Sequence, residues 1–320
     1  MRICILSDEE IEDFNPMQFM EGYDWEFVTM KKPVMDTVRA LADRKEFDIY
    51  INLCEGYEND GDEEGYEGVD VIKALEELNL PFTGADSTFF DPTREQLQAA
   101  ADAHEVGFAK GYRVNSPDEA KRLVESLRYP IMVKHPQSYG STGMIKESRC
   151  DSLEEVLTQV ERVCKEYGAA RMEEFIVGRE FNVLVVDNPD DFSKPIAYPP
   201  TELVFPPNEE FWHTVVKWDA SLPFNFSRVT DAELIPRLQD IGVRMYKAIG
   251  AVSYGRCDVR MNERGEMFIL EINPNPAIML RPDEFGPADF MILYDEGGYK
   301  VFFDRMFRVA KLRQQMRASR

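Results

Sequence analysis

YGRCDVRMNERGEMFILEINPNP, residues 254–276, decides how this chain is read. Two strand-like runs flank the turn text NERG. A simple hairpin centred between Arg264 and Gly265 would pair Asp258 with Glu271 and Arg256 with Asn273. Strand side chains alternate faces, so Arg256, Asp258 and Arg260 share one side, and Glu271 and Asn273 share a side of the partner strand. Opposed residues lie on one face about 5 Å apart. The pattern gathers two carboxylates, an amide and a guanidinium. Two acids that close repel each other unless a cation lies between them. Mg²⁺ suits such hard oxygen donors and keeps positions for water and phosphate oxygens. The competing reading is an ordinary solvated face where acids and Arg simply pair. Asn273–Pro274 followed by Asn275–Pro276 is unusual text for a routine strand and argues against it.

Two upstream segments carry compatible chemistry. In YPIMVKHPQSYGSTGMI, residues 129–145, Lys134 ends an apolar run and a small-residue loop around Ser141 follows. Small residues let backbone N–H groups approach phosphate, and Lys adds a point charge. The P-loop pattern GxxxxGK[ST] is absent,. In RMEEFIVGREFNVLV, residues 171–185, Glu173 and Glu174 precede Phe175, Ile176 and Gly178, and Glu180 enters a strand. Backbone edges beside apolar side chains can hydrogen-bond and sandwich a purine, and a carboxylate such as Glu180 can take ribose hydroxyls.

The rest of the chain sets the frame. Its 320 residues allow two or three units,. The apolar content of 44% and aromatic content of 12% predict a packed core,. A formal charge of −22 disfavours a nucleic-acid partner, because phosphate neutralisation needs clustered Lys and Arg,. No apolar run is long enough to span a membrane,. The opening MRICILSDEE turns acidic and carries no apolar signal region,. Five scattered cysteines without a CxxC pair fit free thiols in a reducing cytoplasm,. Three isolated histidines, His104, His135 and His213, do not support a zinc site or a Ser-His-Asp triad,.

MRICILS and DIYINLCEG read as buried strands separated by helical text, with another helix at VDVIKALEELNL. Such alternation predicts an α/β unit with a parallel sheet over about residues 1–90,. No GxGxxG follows the first strand,. Strands YRVNSP and YPIMVKHP, with helices DEAKRLVESL and SLEEVLTQVERVCKEYG, form a second α+β unit. The acidic text of residues 58–68 reads as a solvated connection, and the Pro-rich residues 193–212 as a long loop or edge segment,. A helix follows with Pro236 bending it, and the chain closes on a helix with Phe302, Met306 and Val309 inward,.

The order of these segments resembles the ATP-grasp superfamily, and most closely the D-alanine–D-alanine ligase branch of carboxylate–amine ligases. It runs Lys134 with its loop, then EEFIVGREF, then RCDV, then EINP; NLCEG, Glu67 and LPFTGAD resemble that branch's N-terminal part. The resemblance implies an α/β (α+β) fold of three domains with nucleotide between the central and C-terminal ones. These are an N-terminal substrate domain at 1–90, a central lid domain at 91–180 and a C-terminal catalytic domain at 181–320. It implies ATP and two Mg²⁺, with Mn²⁺ able to substitute, and ADP-forming amide synthesis through an acyl phosphate. By resemblance, Lys134 contacts the phosphates and Ser141 covers them. Glu173, Glu174 and the Ile176 backbone take adenine, and Glu180 the ribose. Asp258, Glu271 and Asn273 hold the metal, Arg256 stabilises the acyl phosphate, and Lys217 reaches the γ-phosphate. Small carboxylate and amine substrates are implied, without nucleic acid or membrane, and a homodimer is left open. Glu271→Gln is expected to spare stability, its site being partly exposed.

The departures fall on the substrate side. The family's Gly-rich opening is replaced by ILSDEEIEDFNP, where Glu9 or Glu10 could supply the missing carboxylate. The family's DK motif reads Asp91-Pro92-Thr93-Arg94, so its first ATP-contacting Lys is either missing or replaced by Arg94. Gly140, Trp218 and Ala277 stand where the family has Ser, Tyr and Gly. These changes predict substrates other than the D-alanine pair. An alternative reading, a catalytically impaired nucleotide-binding regulator or scaffold, sits poorly with Lys134, Arg256, Asp258, Glu271 and Asn273 all being present. A graspetide-type peptide modifier is a third.

Overall fold

The computed structural model describes residues 1–57, 65–137, 141–214 and 225–319. Gly140, Lys217, Trp218 and most of the acidic segment (58–64) lie outside them.

The first sheet is parallel, with Arg2–Ser7 between Asp24–Thr29 and Ile49–Asn52. Its two faces follow from strand alternation. Cys4, Leu6 and Tyr50 pack under the helices Val34–Asp43 and Gly68–Glu77 through Val38, Leu41, Val71, Ile72 and Leu75. Ile3, Ile5, Ile49 and Ile51 face the other way, into a core shared with Tyr254, Phe302, Phe303 and Met306. Asp24–Thr29 has no clear sequence signal because an edge strand of half-buried residues shows weak alternation,.

The second sheet is antiparallel, in the order Gly111–Val114, Ala170–Glu174, Ile131–Lys134, Arg149–Cys150. Its helices begin as their sequences dictate. Ser116 and Ser152 accept hydrogen bonds from the Glu119 and Glu155 amides, and Gly168 closes the Leu153–Tyr167 helix in the left-handed conformation,. Val114, Val133, Ala170 and Met172 form the core face with Val156, Val160 and Val163.

The third sheet runs Asn225–Arg228, Thr201–Val204, Gly178–Val186, Tyr254–Asn262, Met267–Pro274, with Ile196–Ala197 pairing to the side. The Pro-rich segment therefore does contribute strands, framed by Pro199–Pro200 and Pro206–Pro207. One face is apolar: Phe181, Val183, Val185, Cys257, Val259, Ile269 and Ile272 pack on the helix Leu234–Ala248. Pro236 lies in the first turn of that helix, where its missing N–H has no intrahelical acceptor to lose, so no bend is required,. The helix Arg94–Ala103 packs on this same core through Leu97 and Ala101. The opposite face carries the polar residues of the site.

The closing helix Gly298–Ala318 joins the units. Phe302, Met306 and Val309 face the core, as their spacing predicts. Its basic end does more than sit near a helix terminus. Arg313 bonds Asp86 at 2.7 Å, Arg317 donates to the Leu80 carbonyl at 2.6 Å, and Gln314 to the Asn79 carbonyl at 2.8 Å.

Candidate functional site

The hairpin pairs Arg256 with Asn273 and Asp258 with Glu271, as counted from the sequence, but not as a simple hairpin. Near the tip, Met261 pairs with Met267 and Arg260 with Phe268, one residue tighter than the assumed turn. A β-bulge at Leu270 restores the register,. The bulge puts both Ile269 and Ile272 into the core while Glu271 and Asn273 face the site. Without it, Glu271 would point into apolar packing.

On the adjoining strand, Glu180 opposes Arg260 and Asn182 opposes Asp258. Arg256 grips Asp258 with two bonds of 2.8 and 3.0 Å. Asn182 donates to Asp258 at 2.7 Å. Asn273 donates to Asp258 at 3.0 Å and to Glu271 at 3.4 Å, so its amide spans the two carboxylates. Glu271 is also paired with Arg94, which donates to the bulged Leu270 carbonyl at 3.0 Å. Burial pushes the Glu271 carboxyl upward, but Arg94 and then Lys134 outweigh it and hold it down at about 2. Arg94 thus stands inside the site.

The second sheet supplies the facing wall. Lys134 opposes Arg171, and Glu173 lies two residues along on the same face. Lys134 binds Glu173 at 2.5 Å, and Arg171, fully buried, binds it at 2.6 Å. Burial raises the Glu173 carboxyl, yet Lys134 and Arg171 hold it at about 2. Burial draws the Lys134 ammonium below its usual range despite Glu173 beside it. Glu173 thus has Lys134 and Arg171 as bonded counter-ions.

Glu173 and Glu174 fall on opposite strand faces. Glu174 is bound by Arg128 through its backbone amide, Nε and Nη2 at 3.1, 3.1 and 2.8 Å. Its side chain therefore does not join Glu173 in the groove. Ile176 is buried, and Glu180 is buried against Arg260 at 2.9 Å. Ser141 has a left-handed φ of 63°, and its carbonyl accepts from Thr214 Oγ1 at 3.3 Å. That contact ties the small-residue loop to the chain entering the segment of Lys217, which lies outside the described residues.

At the N-terminal unit, Asp8 rather than Glu9 or Glu10 is the anchored carboxylate. It accepts from the Glu55 and Gly56 amides at 2.5 and 2.8 Å and from the Tyr66 hydroxyl. Glu10 is exposed and accepts from Thr29 at 3.1 Å. Glu9 is exposed too; partial burial, then Asp13 and Asp8, raises its carboxyl. Asn275 stitches this unit to the hairpin, donating to the Asn52 carbonyl at 3.2 Å and accepting from the Ala85 amide at 3.2 Å. Sequence reasoning missed Asn182 and Arg171. Asn182 was legible only as a polar residue in the apolar run Phe181–Val186, and Arg171, beside two glutamates in Ala170–Glu174, carried no distinguishing signal.

A model of the family described as "D-ala D-ala ligase C-terminus" matches residues 102–279. The D-alanine–D-alanine ligase of Marinomonas sp. (strain MWYL1) is 28% identical over 225 residues, covering 67% of this chain and 66% of that protein. That of Psychrobacter sp. (strain PRwf-1) is 26% identical over 244 residues, covering 74% and 68%. The matched part thus spans about two thirds of these relatives' length. Among solved structures, the D-alanine–D-alanine ligase from Coxiella burnetii aligns with a TM-score of 0.70 at 14% identity, covering 100% of this chain and 96% of that one. The Bacillus anthracis enzyme complexed with ATP aligns with a TM-score of 0.67 at 16% identity, covering 99% and 98%.

Proposed function

Because the chain belongs to the D-ala D-ala ligase C-terminus family and has the ATP-grasp fold, we propose that it is an ATP-dependent carboxylate–amine ligase. It would form an amide through an acyl phosphate and release ADP and phosphate. The observation that carries this reading is the opposed pair Asp258 and Glu271, spanned by Asn273 and flanked by Arg256, Arg94 and Lys134. We read residues 1–90, 91–180 and 181–320 as its three domains, with helix Arg94–Ala103 packed on the third.

A carboxylate is a poor acyl donor at neutral pH. Transfer of the γ-phosphoryl group to its oxygen breaks the bond to ADP and makes phosphate the leaving group. The amine nitrogen then attacks the carbonyl carbon, the bond to phosphate breaks, and the nitrogen gives up a proton. Catalysis of this kind is mainly positioning and charge stabilisation. Lys134 and Arg94 would meet phosphate oxygens, and Arg256 the acyl phosphate. The Ile176 backbone and Glu180 would hold the nucleoside, and Ser141 and Lys217 would close over the phosphates.

Asp258, Glu271 and the Asn273 amide oxygen offer the hard donors Mg²⁺ takes. The fit is supported by the two carboxylates meeting on the one Asn273 amide, with no third acid needed when phosphate oxygens complete the shell. When bound, Mg²⁺ offsets charge on the transferring phosphoryl group.

We further read the substrates as other than two D-alanines. In the opening segment Asp8 is taken up by backbone amides and Glu10 by Thr29. Arg281 also reaches the Glu12 carbonyl at 3.3 Å. A coupled ADP assay across carboxylate and amine pairs, with mass spectrometry of products, tests both statements. AMP and pyrophosphate as products would refute the reaction class; rapid D-alanyl-D-alanine formation would refute the substrate reading.

A further inference from the structure

Arg260 shares the site face with Arg256 and Asp258 but has no part in the reaction above. It is 2% exposed. Nε donates to Glu180 at 2.9 Å, Nη1 donates to the Ile176 carbonyl at 3.0 Å, and Nη2 donates to the Glu210 carbonyl. Its guanidinium carbon lies 4.6 Å from the Phe175 ring centroid and 5.7 Å from that of Phe205.

The Ile176 backbone and Glu180 are the groups assigned above to the nucleoside. A flat, π-stacking base would seek aromatic faces like those that now cover the guanidinium. A purine and its ribose need a planar slot, a backbone edge and a carboxylate. Arg260 occupies all three. A buried cation also needs a counter-charge, and Glu180 supplies it through Oε2, on the carboxylate that a ribose hydroxyl would approach.

We propose that Arg260 holds the place of the nucleoside, so that base and ribose compete with its guanidinium for the Phe175–Phe205 slot, the Ile176 backbone and Glu180. Arg260 thereby sets how tightly the nucleoside end of the substrate is held, while the phosphate end, at Lys134 and Arg94, is unaffected. This rests on the ligase reading for the assignment of Ile176 and Glu180. The nucleotide must break a buried ion pair to enter, so most of its affinity comes from its phosphates.

Calorimetry on the full chain with three probes separates the two ends: adenosine, ATP with Mg²⁺, and inorganic tripolyphosphate. Arg260→Met fills part of the slot without competing for Glu180. It should bind adenosine and ATP at least tenfold more tightly than the wild type and tripolyphosphate within about twofold. Adenosine or ATP binding that is unchanged or weaker in the variant overturns the proposal and leaves the ligase reading standing. Failure of wild type and variant alike to bind ATP overturns the ligase reading and this proposal with it. Arg260→Gln, which still donates to Glu180, is the second variant and should tighten adenosine binding in the same direction. Loss of the fold in both also overturns the proposal, since a placeholder is dispensable to folding.

Discussion

Glu271→Gln removes one charge and leaves the shape. The sequence predicts little effect on stability, because a carboxylate at an open site contributes little to the core. The structure reverses that expectation. The Glu271 side chain is 22% exposed, but its partner Arg94 is 9% exposed and is held beside it by a further bond to the Leu270 carbonyl. A carboxyl moved from 4.5 to about 2 corresponds to about 3 kcal/mol of native stability, at roughly 1.4 kcal/mol per tenfold change in proton affinity,. Screening at its exposed part lowers this to about 2 kcal/mol. The folded-state value is the depressed one. The contribution is therefore complete above pH 4.5 and fades as pH falls toward 2. Denaturant unfolding should show the variant about 2 kcal/mol less stable at pH 7, with the gap roughly halved at pH 3. Turnover should fall roughly 10²–10³-fold, the cost of one electrostatic contact in the transition state. A variant as stable as the wild type at pH 7, or a gap that does not change with pH, would refute the Arg94–Glu271 argument. Wild-type turnover on an identified substrate would remove Glu271 from the site.

Lys134→Ala should weaken ATP binding by about 1.5–3 kcal/mol, measured by calorimetry. It should also lower stability by a similar amount, because the buried Glu173 loses its ion pair to Lys134 and keeps the one to Arg171. Gly143→Ala places a Cβ 2.7 Å from the Tyr167 ring at a backbone φ of +68°. It should displace the loop at Ser141 and raise the KM for ATP several-fold with a smaller change in kcat; an unchanged KM would separate that loop from nucleotide binding. Arg313→Ala breaks the bond to Asp86 and the 3.8 Å contact to Asp187. It should cost about 1.5–3 kcal/mol in unfolding and increase hydrogen exchange at Gly84–Asp86; protection equal to the wild type there would show that the closing helix docks without it.

The apolar strands Arg2–Ser7, Ile49–Asn52 and Ile131–Lys134, the inward face of the closing helix and the facing of Asp258 toward Glu271 were readable from residue order. Those features depend on local backbone chemistry and on the two-residue period of a strand, which short sequences encode. What remained was decided by packing between distant segments. The Leu270 bulge is invisible in the text, since nothing marks one apolar residue among four as the unpaired one; the core on one side and Arg94 on the other select it. Arg94 could be named as a replacement cation, but its bond to Glu271 joins residues 177 apart. That Glu173 faces the groove while Glu174 is held by Arg128 depends on which sheet face the neighbouring unit covers. Arg260 shows the same limit most clearly. Its strand face follows from counting, yet its burial against Glu180, Ile176, Phe175 and Phe205 exists only when strands distant in sequence pair and bring their flanking segments over it. An ion pair or a slot is a property of groups brought together, and only tertiary structure brings them together.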